Sequence, residues 1–210
     1  MLGTHDLPLF IASGLLLNVT PGADSLYIVS RSITRGVRAG VAAALGIASG
    51  CCVHITAAAL GLSAILAASA DAFTAVKLIG AAYLVHIGAT MLFRRAAPAT
   101  TGVAPAAVSS GTIFAQGFLT NVLNPKVALF FLAFVPQFID HDAPHPALAF
   151  LFLGALFNFN GTLWCLFLAW SAARLGVLDA GRHLATSVSR GVGALFMFLG
   201  LRLAFAADAG

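Results

Sequence analysis

The chain has 210 residues, of which 60% are hydrophobic and only 9% are charged. A soluble domain carries about 25% charged residues, so this composition excludes a soluble protein and indicates an integral membrane protein. The net charge is +4, but the basic residues stand at the ends of apolar runs and form no single patch, which argues against a nucleic-acid partner. The three cysteines all lie in apolar segments, a pattern that does not fit a disulfide framework.

Six apolar runs are long enough to cross a bilayer as helices, which takes about 20 residues each. They cover residues 7–29, 40–68, 73–93, 112–138, 146–172 and 188–207. The runs are too long and too evenly apolar for barrel strands, which alternate over about 10 residues. The sequence therefore predicts an all-α integral membrane protein with six transmembrane helices.

The basic residues predict how these helices are oriented. The first loop contains Arg31, Arg35 and Arg38, and the third and fifth loops are also basic. The second loop, the fourth loop and the N-terminus contain no lysine or arginine. Because basic loops face the cytoplasm, we expect a multi-pass protein with its N- and C-termini outside.

Two segments about half a chain apart resemble each other. GLLLNVTPGADSL begins at Gly14 and GFLTNVLNPKVAL begins at Gly117. Both have the pattern G-x-x-x-N-V, followed by Pro21 in the first and by Pro125, after one inserted residue, in the second. A weaker similarity links the third and sixth predicted helices. Each half is therefore predicted to be a three-helix unit, and an odd number of helices inverts the second unit in the membrane.

The repeats predict a single transporter domain that covers residues 1–210. Its first repeat covers about 1–95, a flexible linker rich in Ala, Pro and Ser covers about 96–111, and the second repeat covers about 112–210. Inverted repeats are typical of secondary transporters, in which broken helices at matching positions mark the substrate site. Helices 1 and 4, which contain the two prolines, are the predicted broken helices.

Each proline indicates where a half-helix begins inside the membrane. Proline lacks a backbone donor and disfavours a helical conformation in the preceding residue. It fits the first turn of a new helix, with Thr20 or Asn124 as the capping residue before it. Because such breaks are tolerated where they line a cavity, we expect both half-helices to direct free N–H groups toward a site near the middle of the membrane.

Two charged residues accompany the breaks. Asp24 is the only acidic residue deep in a predicted helix, and Lys126 is the only deep basic residue. A charge at the centre of a bilayer costs at least about 2.5–3.5 kcal/mol, so such residues normally pair or have a function. A cation near the start of a helix opposes the helix dipole. We therefore expect an anion beside Lys126, either Asp24 or the carboxylate of a substrate.

These groups predict a binding site for a zwitterionic amino acid between the two repeats. Its carboxylate would lie near Lys126, and its ammonium would lie near Asp24, Asn18 and Asn121. Asp24 is also the predicted proton-coupling residue, since acidic side chains inside membranes often serve as proton relays. The predicted substrate-binding residues are Asn18, Thr20, Pro21, Gly22, Asp24, Asn121, Asn124, Pro125 and Lys126.

The motifs NVTPGADSL, GAAYLVHIG and GFLTNVLNPKVALFFLAFVPQF resemble those of the lysine exporter / homoserine–threonine resistance (LysE/RhtB) family. The resemblance covers essentially the whole chain, although Ala23 stands where the family usually has the second proline of Pro-Gly-Pro-Asp. It implies export of amino acids or close derivatives, such as homoserine, threonine, lysine or leucine-like compounds. The export would cross the bacterial cytoplasmic (inner) membrane, driven by protons or sodium, with proton antiport as the expected mode. The resemblance implies no cofactor and is compatible with a homodimer in the lipid bilayer.

Two other functions are weighed against amino-acid export. Cys51, Cys52 and His54 suggest a soft-metal site, and the resemblance makes a heavy-metal cation exporter of a related family the alternative. Adjacent cysteines on a helix point about 100° apart, however, which weakens that reading. Asp24 with His54 or His86 suggests a membrane-embedded enzyme, but the sequence has no nucleophile elbow, His-Glu-x-x-His helix or phosphate loop. We therefore expect no enzyme activity and no metal site.

Four polar residues within the predicted helices have open roles. We interpret His54 and His86 as hydrogen-bonded packing residues in preference to proton relays. Asn158 and Asn160 either face the cavity or cross-link helices.

Overall fold

The computed structural model describes residues 2–62, 108–140 and 142–175, together with residues 78, 82, 85, 89, 197 and 198. The described residues are mostly helical, and their only β-structure is an isolated bridge between Thr4 and Ile139. The prediction of an all-α membrane protein is confirmed. Apart from those six single residues, the third and sixth predicted helices, with His86, lie outside the described residues. The arrangement of six helices in two repeats therefore stays a prediction.

The first predicted transmembrane helix consists of two helices, α1 (Leu7–Val19) and α2 (Ala23–Arg35), which are bent by 52°. The predicted break is therefore present. Of the arginines that were assigned to the first loop, Arg31 and Arg35 lie in α2 and Arg38 lies in the first turn of α3, so that loop is a tight turn at Gly36. The φ of Gly36 is 79°, a conformation that glycine adopts without steric strain. It allows α2 to be followed at once by α3 (Val37–Ala57).

The fourth predicted transmembrane helix is also broken. Its first part is α4 (Ser110–Val122), and its second part begins with α5 (Pro125–Leu129). α5 is continued by a π-helical turn, Phe130–Phe134, and a 3-10 turn, Val135–Phe138. The two parts are bent by 45°. Both prolines thus mark a change of direction, as the sequence predicts.

Two further helices are unbroken. α3 is extended by a π-helical turn, Ala58–Leu62, to an apolar helix of 26 residues. α6 (Pro146–Leu175) has 30 residues. Among the described residues, these two helices and the two bent pairs are long and apolar enough to cross a membrane. Four of the six predicted spans are therefore present, and their first residues lie within three positions of the predicted ones.

The two broken helices run antiparallel to each other. At one end, the N–H of Asp140, after α5, donates to the carbonyl of Gly3, before α1, at 2.8 Å. At the other end, the Arg31 guanidinium on α2 donates to the side-chain oxygen of Gln116 on α4 at 3.1 Å. The two breaks meet between these ends. This is the arrangement that an inverted repeat requires of helices 1 and 4.

Glycines bring α3 and α4 into direct contact. A Cβ atom on Gly46 would collide with the carbonyl oxygen of Phe114, and one on Gly117 would lie 2.6 Å from the carbonyl oxygen of Ala43. One on Gly50 would also be within 3 Å of the α4 backbone. Small residues are typical of close helix contacts in membranes. The Gly46-x-x-x-Gly50 spacing therefore allows the close packing of α3 against α4.

A cluster of phenylalanines fills the space between the breaks and the end that carries the N-terminal segment. The rings of Phe130 and Phe157 stack with centroids 4.4 Å apart, and those of Phe134 and Phe138 lie 4.8 Å apart. The buried members of this phenylalanine cluster are Phe10, Phe130, Phe131, Phe134, Phe138, Phe150 and Phe157. The cluster forms an apolar layer between the breaks and that end of the protein.

The close contact between α3 and α4 predicts the effect of adding a single methyl group. We expect Gly46→Ala to destabilise the protein by about 1–3 kcal/mol, as overpacking does in other cores. Gly61→Ala is the matched control, because a Cβ there meets no described atom within 4 Å. The melting temperatures of the two purified variants in detergent measure the difference. Equal melting temperatures would contradict the proposed contact.

The ends of the broken helices predict which residues face the same side of the membrane. Arg38, in the first turn of α3, and Asp142, just after the segment that contacts Gly3, lie at opposite ends of the broken helices and are both exposed. In a variant without Cys51, Cys52 and Cys165, a membrane-impermeant maleimide should label Asp142→Cys in intact cells. Arg38→Cys should react only after permeabilisation. The reverse pattern would show that the predicted orientation is wrong.

Candidate substrate site between the two helix breaks

The break in helix 1 leaves a backbone carbonyl without its helical partner. In an α-helix the N–H of each residue bonds to the carbonyl four residues earlier. The carbonyl of Leu17 would thus pair with residue 21, which is proline and has no N–H. Lys126 supplies the missing donor, since its Nζ donates to the carbonyl of Leu17 at 3.0 Å and to that of Thr20 at 3.1 Å. A cation is favourable here because the C-terminal end of a helix carries partial negative charge.

This geometry corrects one of the two expected partners of Lys126. Lys126 lies in the first turn of α5, whose dipole it opposes, and Asp24 was one predicted partner. Among the described residues, however, the close contacts between basic and acidic side chains join His5 to Asp6 and to Asp140, and none joins Lys126 to Asp24. The lysine instead reaches across to the end of α1. Its direct partners are thus two backbone carbonyls, and a substrate carboxylate beside Lys126 stays a prediction.

The break in helix 4 follows the same rule with a different side chain. Pro125 deprives the carbonyl of Asn121 of its helical partner. That carbonyl accepts hydrogen bonds from His54 Nε2 on α3 at 3.0 Å and from the N–H of Asn124 at 2.9 Å. Because a carbonyl can only accept, Nε2 of His54 carries the proton. This contact agrees with the interpretation of His54 as a hydrogen-bonded packing residue.

Asp24 connects the two breaks in the opposite direction. It lies in the first turn of α2, where the helix dipole favours an anion. Its Oδ2 accepts hydrogen bonds from the side-chain amides of Asn121 and Asn124, both at 2.9 Å. Each broken helix thus contributes one charged side chain to the break of the other. Asp24 comes from helix 1, and Lys126 comes from helix 4.

The two predicted caps have different outcomes. Asn124 caps α5 as predicted, because its Oδ1 accepts from the N–H of Lys126 at 3.0 Å. The predicted cap at Thr20 is wrong, since α2 begins after Gly22 and Thr20 instead ends α1. The hydroxyl of Thr20 donates to the carbonyl of Leu16 at 2.7 Å, a contact that threonine often makes within helices. Pro21 lies exposed in the link between α1 and α2.

A cavity of about 40 Å³ lies at the level of the two breaks. One water molecule requires roughly 10–15 Å³ of such volume, so the cavity holds about three waters and is too small for an amino acid in this conformation. Polar and charged side chains from both broken helices and from α6 line the cavity, among them Asn18, Asp24, Asn121, Lys126 and Asn158. The predicted residues Thr20, Pro21, Gly22, Asn124 and Pro125 shape the breaks but do not line the cavity.

Three buried polar atoms at this cavity have no hydrogen-bond partner among the described residues. They are Nδ2 of Asn18, Oδ1 of Asp24 and Oδ1 of Asn121. Leaving a buried polar atom unpaired costs about 1–3 kcal/mol, so nearly all such atoms in proteins are paired. The cavity therefore presents one free donor and two free acceptors, in addition to the ammonium of Lys126.

The unbroken helices α3 and α6 provide cavity residues that sequence analysis missed. They include Ile47, Cys51, Phe157, Gly161 and Cys165. Apolar residues on unbroken helices give no local signal of this role. Gly161 differs from the others because the lack of a side chain matters there. A Cβ at this position would lie 3.1 Å from the amide of Asn18. Glycine at this position leaves room for that side chain.

The structure also locates the two asparagines of α6 and the adjacent cysteines of α3. Asn158 both lines the cavity and links helices, because its Nδ2 donates to the carbonyl of Ala48 on α3 at 3.2 Å. Asn160 is half-buried and is not among the described lining residues. Cys51 is buried, whereas its neighbour Cys52 is exposed. The described residues contain no group of three His, Cys, Asp or Glu side chains placed to hold a metal ion.

Known proteins resemble the chain over nearly its full length. An uncharacterised membrane protein of Pseudomonas aeruginosa is 34% identical over 210 residues, which cover 98% of this chain and 97% of that protein. A leucine efflux protein of Salmonella typhimurium is 28% identical over 196 residues, which cover 93% and 92% of the two chains. An uncharacterised membrane protein of Vibrio cholerae is 31% identical over 197 residues, which cover 94% and 95%.

No solved structure matches the chain. The sequence pattern of LysE type translocators, in contrast, matches residues 15–207. That match includes both helix breaks and the cavity between them. The chain therefore belongs to the LysE type translocator family.

Proposed function

We propose that this protein is a secondary transporter that exports a zwitterionic amino acid across the bacterial inner membrane in exchange for protons. The observation that carries the proposal is the pair of antiparallel helix breaks, which place Asp24 and Lys126 at one cavity with three unpartnered polar atoms. Membership of a translocator family and the similarity to leucine efflux proteins support it. In this proposal the protein moves its substrate and changes none of its bonds.

The free polar atoms complement the two charged groups of an amino acid. The substrate carboxylate would accept hydrogen bonds from Nδ2 of Asn18 and from the third N–H of Lys126. Two of the three lysine donors are already used by backbone carbonyls. The substrate ammonium would donate to Oδ1 of Asp24 and Oδ1 of Asn121. Each of the three unpartnered atoms would then have a partner.

The charge and apolar surface of the cavity favour a neutral, leucine-like substrate. Asp24 and Lys126 are the only charged residues among the described lining residues, so their formal charges cancel. A lysine substrate would bring a second ammonium without a second carboxylate to receive it. Much of the remaining lining is apolar, with Leu17, Ile47 and Phe157 among its larger side chains. Such a surface suits an aliphatic side chain.

Proton coupling follows from competition for one oxygen. Oδ1 of Asp24 can receive either the substrate ammonium or a proton, but not both. After the amino acid leaves on the outside, a proton would neutralise Asp24 and allow the empty site to return to the cytoplasmic side. The proton would then be released when the next substrate ammonium binds. Because the two cations share one carboxylate, each export step would bring a proton inward.

For the site to become accessible from each side of the membrane in turn, the layer of residues that covers it on that side would have to open. The phenylalanine cluster covers one side of the breaks. On the other side, the hydroxyl of Tyr27 donates to Gln116 at 3.0 Å, and the guanidinium of Arg31 lies over the Tyr27 ring and donates to the same side chain. These contacts connect α2 to α4. We propose that they form the layer nearer the cytoplasm.

The direct test uses the purified protein in proteoliposomes loaded with labelled leucine. An acidic exterior should accelerate leucine efflux, and a protonophore should abolish the acceleration. Labelled lysine should leave at least tenfold more slowly. Efflux of cadmium without efflux of any amino acid would overturn the proposal, as would conversion of leucine to another compound.

Replacing the carboxylate at the break should stop coupled export. Asp24→Asn removes the negative charge that would bind the substrate ammonium, and hydrogen bonds to charged groups contribute about 1.5–3 kcal/mol. We expect at least a tenfold loss of proton-driven leucine efflux. Asp142→Asn, the same change at an exposed loop position, should keep the efflux rate of the unmodified protein. Equal rates in both variants at equal membrane levels would refute the role of Asp24.

A further inference from the structure

The ammonium of Lys126 occupies a place that resembles a cation site. Its two acceptors are the carbonyls of Leu17 and Thr20, at the C-terminal end of a half-helix. Gly22 lies against it, since a Cβ atom there would be 3.4 Å from Nζ. In secondary transporters with broken helices, the carbonyls of unwound segments and of half-helix C-terminal ends coordinate the coupling ion. Here those carbonyls already bind a cation that belongs to the chain.

We propose that Lys126 is a tethered cation that stands in for a sodium ion at the break in helix 1. The break is therefore held without bound sodium, and export is independent of sodium. This inference deepens the proposed function, and the prediction that export is independent of sodium rests on that function. The predictions about protein stability concern the break alone and do not require transport.

The relation between Pro21 and Lys126 supports this role. Pro21 removes the N–H that would have paired with the carbonyl of Leu17, and Nζ of Lys126 replaces it. An unpaired backbone group in a bilayer costs several kcal/mol, so the proline makes the protein dependent on the lysine. The partial negative charge at the C-terminal end of α1 explains why the replacement is a cation.

Chemical rescue tests the tethered cation directly. We expect Lys126→Ala to lower the melting temperature of the purified protein by several degrees. Ethylammonium chloride should restore part of that loss, whereas choline chloride at equal ionic strength should not. Lys126→Met, which fills the space with an uncharged chain, should be destabilised but not rescued. Equal rescue of both variants, or no destabilisation in either, would overturn the inference.

A double-mutant cycle tests the link to Pro21. Pro21→Ala returns an N–H to the position that serves the carbonyl of Leu17, so Lys126→Met should lower the melting temperature less in that background. Additive effects of the two substitutions would contradict the inference. If Lys126→Ala cannot be purified alone, Pro21→Ala should restore its yield. Failure of the combined variant to accumulate would also count against the proposal.

The sodium arm separates this inference from the proposed function. The unmodified protein should show the same melting temperature and the same leucine counterflow in sodium chloride and in choline chloride. A sodium requirement for either property would refute the tethered cation. If no amino acid undergoes counterflow in either salt, while rescue and coupling behave as expected, the proposed function fails and the role of Lys126 stands.

Discussion

A backbone carbonyl inside a membrane needs a donor, and this requirement organises the centre of the protein. Pro21 and Pro125 each leave one carbonyl unpaired, four residues before the proline. Lys126 serves the first, and His54 together with the N–H of Asn124 serves the second. Neither Lys126 nor His54 lies on the helix whose break it stabilises. The two breaks must therefore face each other and α3, and the cavity forms where these elements meet.

The same contacts leave hydrogen-bonding groups in the cavity free to bind a ligand. Asp24 is held by two asparagine amides through one oxygen only, which leaves the other oxygen available. Lys126 likewise has one donor beyond those used by the carbonyls. The residues that stabilise the breaks thus keep part of their hydrogen-bonding capacity for a ligand. Stability of the broken helices and binding of a substrate are consequently linked through the same side chains.

The sequence was sufficient to predict the broken helices and most of their polar residues, because proline and charge are rare inside membrane spans. It also identified the cap at Asn124. It did not predict the partner of Lys126, because the dipole of α5 was considered and that of α1, more than a hundred positions earlier, was not. The cap at Thr20 failed because a hydroxyl can bond backward within its own helix. The cavity residues of α3 and α6 were not predicted, because the sequence does not distinguish an apolar side chain that faces lipid from one that faces a cavity.

The glycine contact between α3 and α4 has a consequence for motion. Backbone atoms of the two helices touch at Gly46, Gly50 and Gly117, so neither helix can slide along the other by part of a turn without collision. We therefore expect the two helices to move together as one rigid body. Among the described helices, we expect an opening at the middle of the protein to arise from rotation of this pair of helices against α1, α2 or α6, with bending at the two prolines.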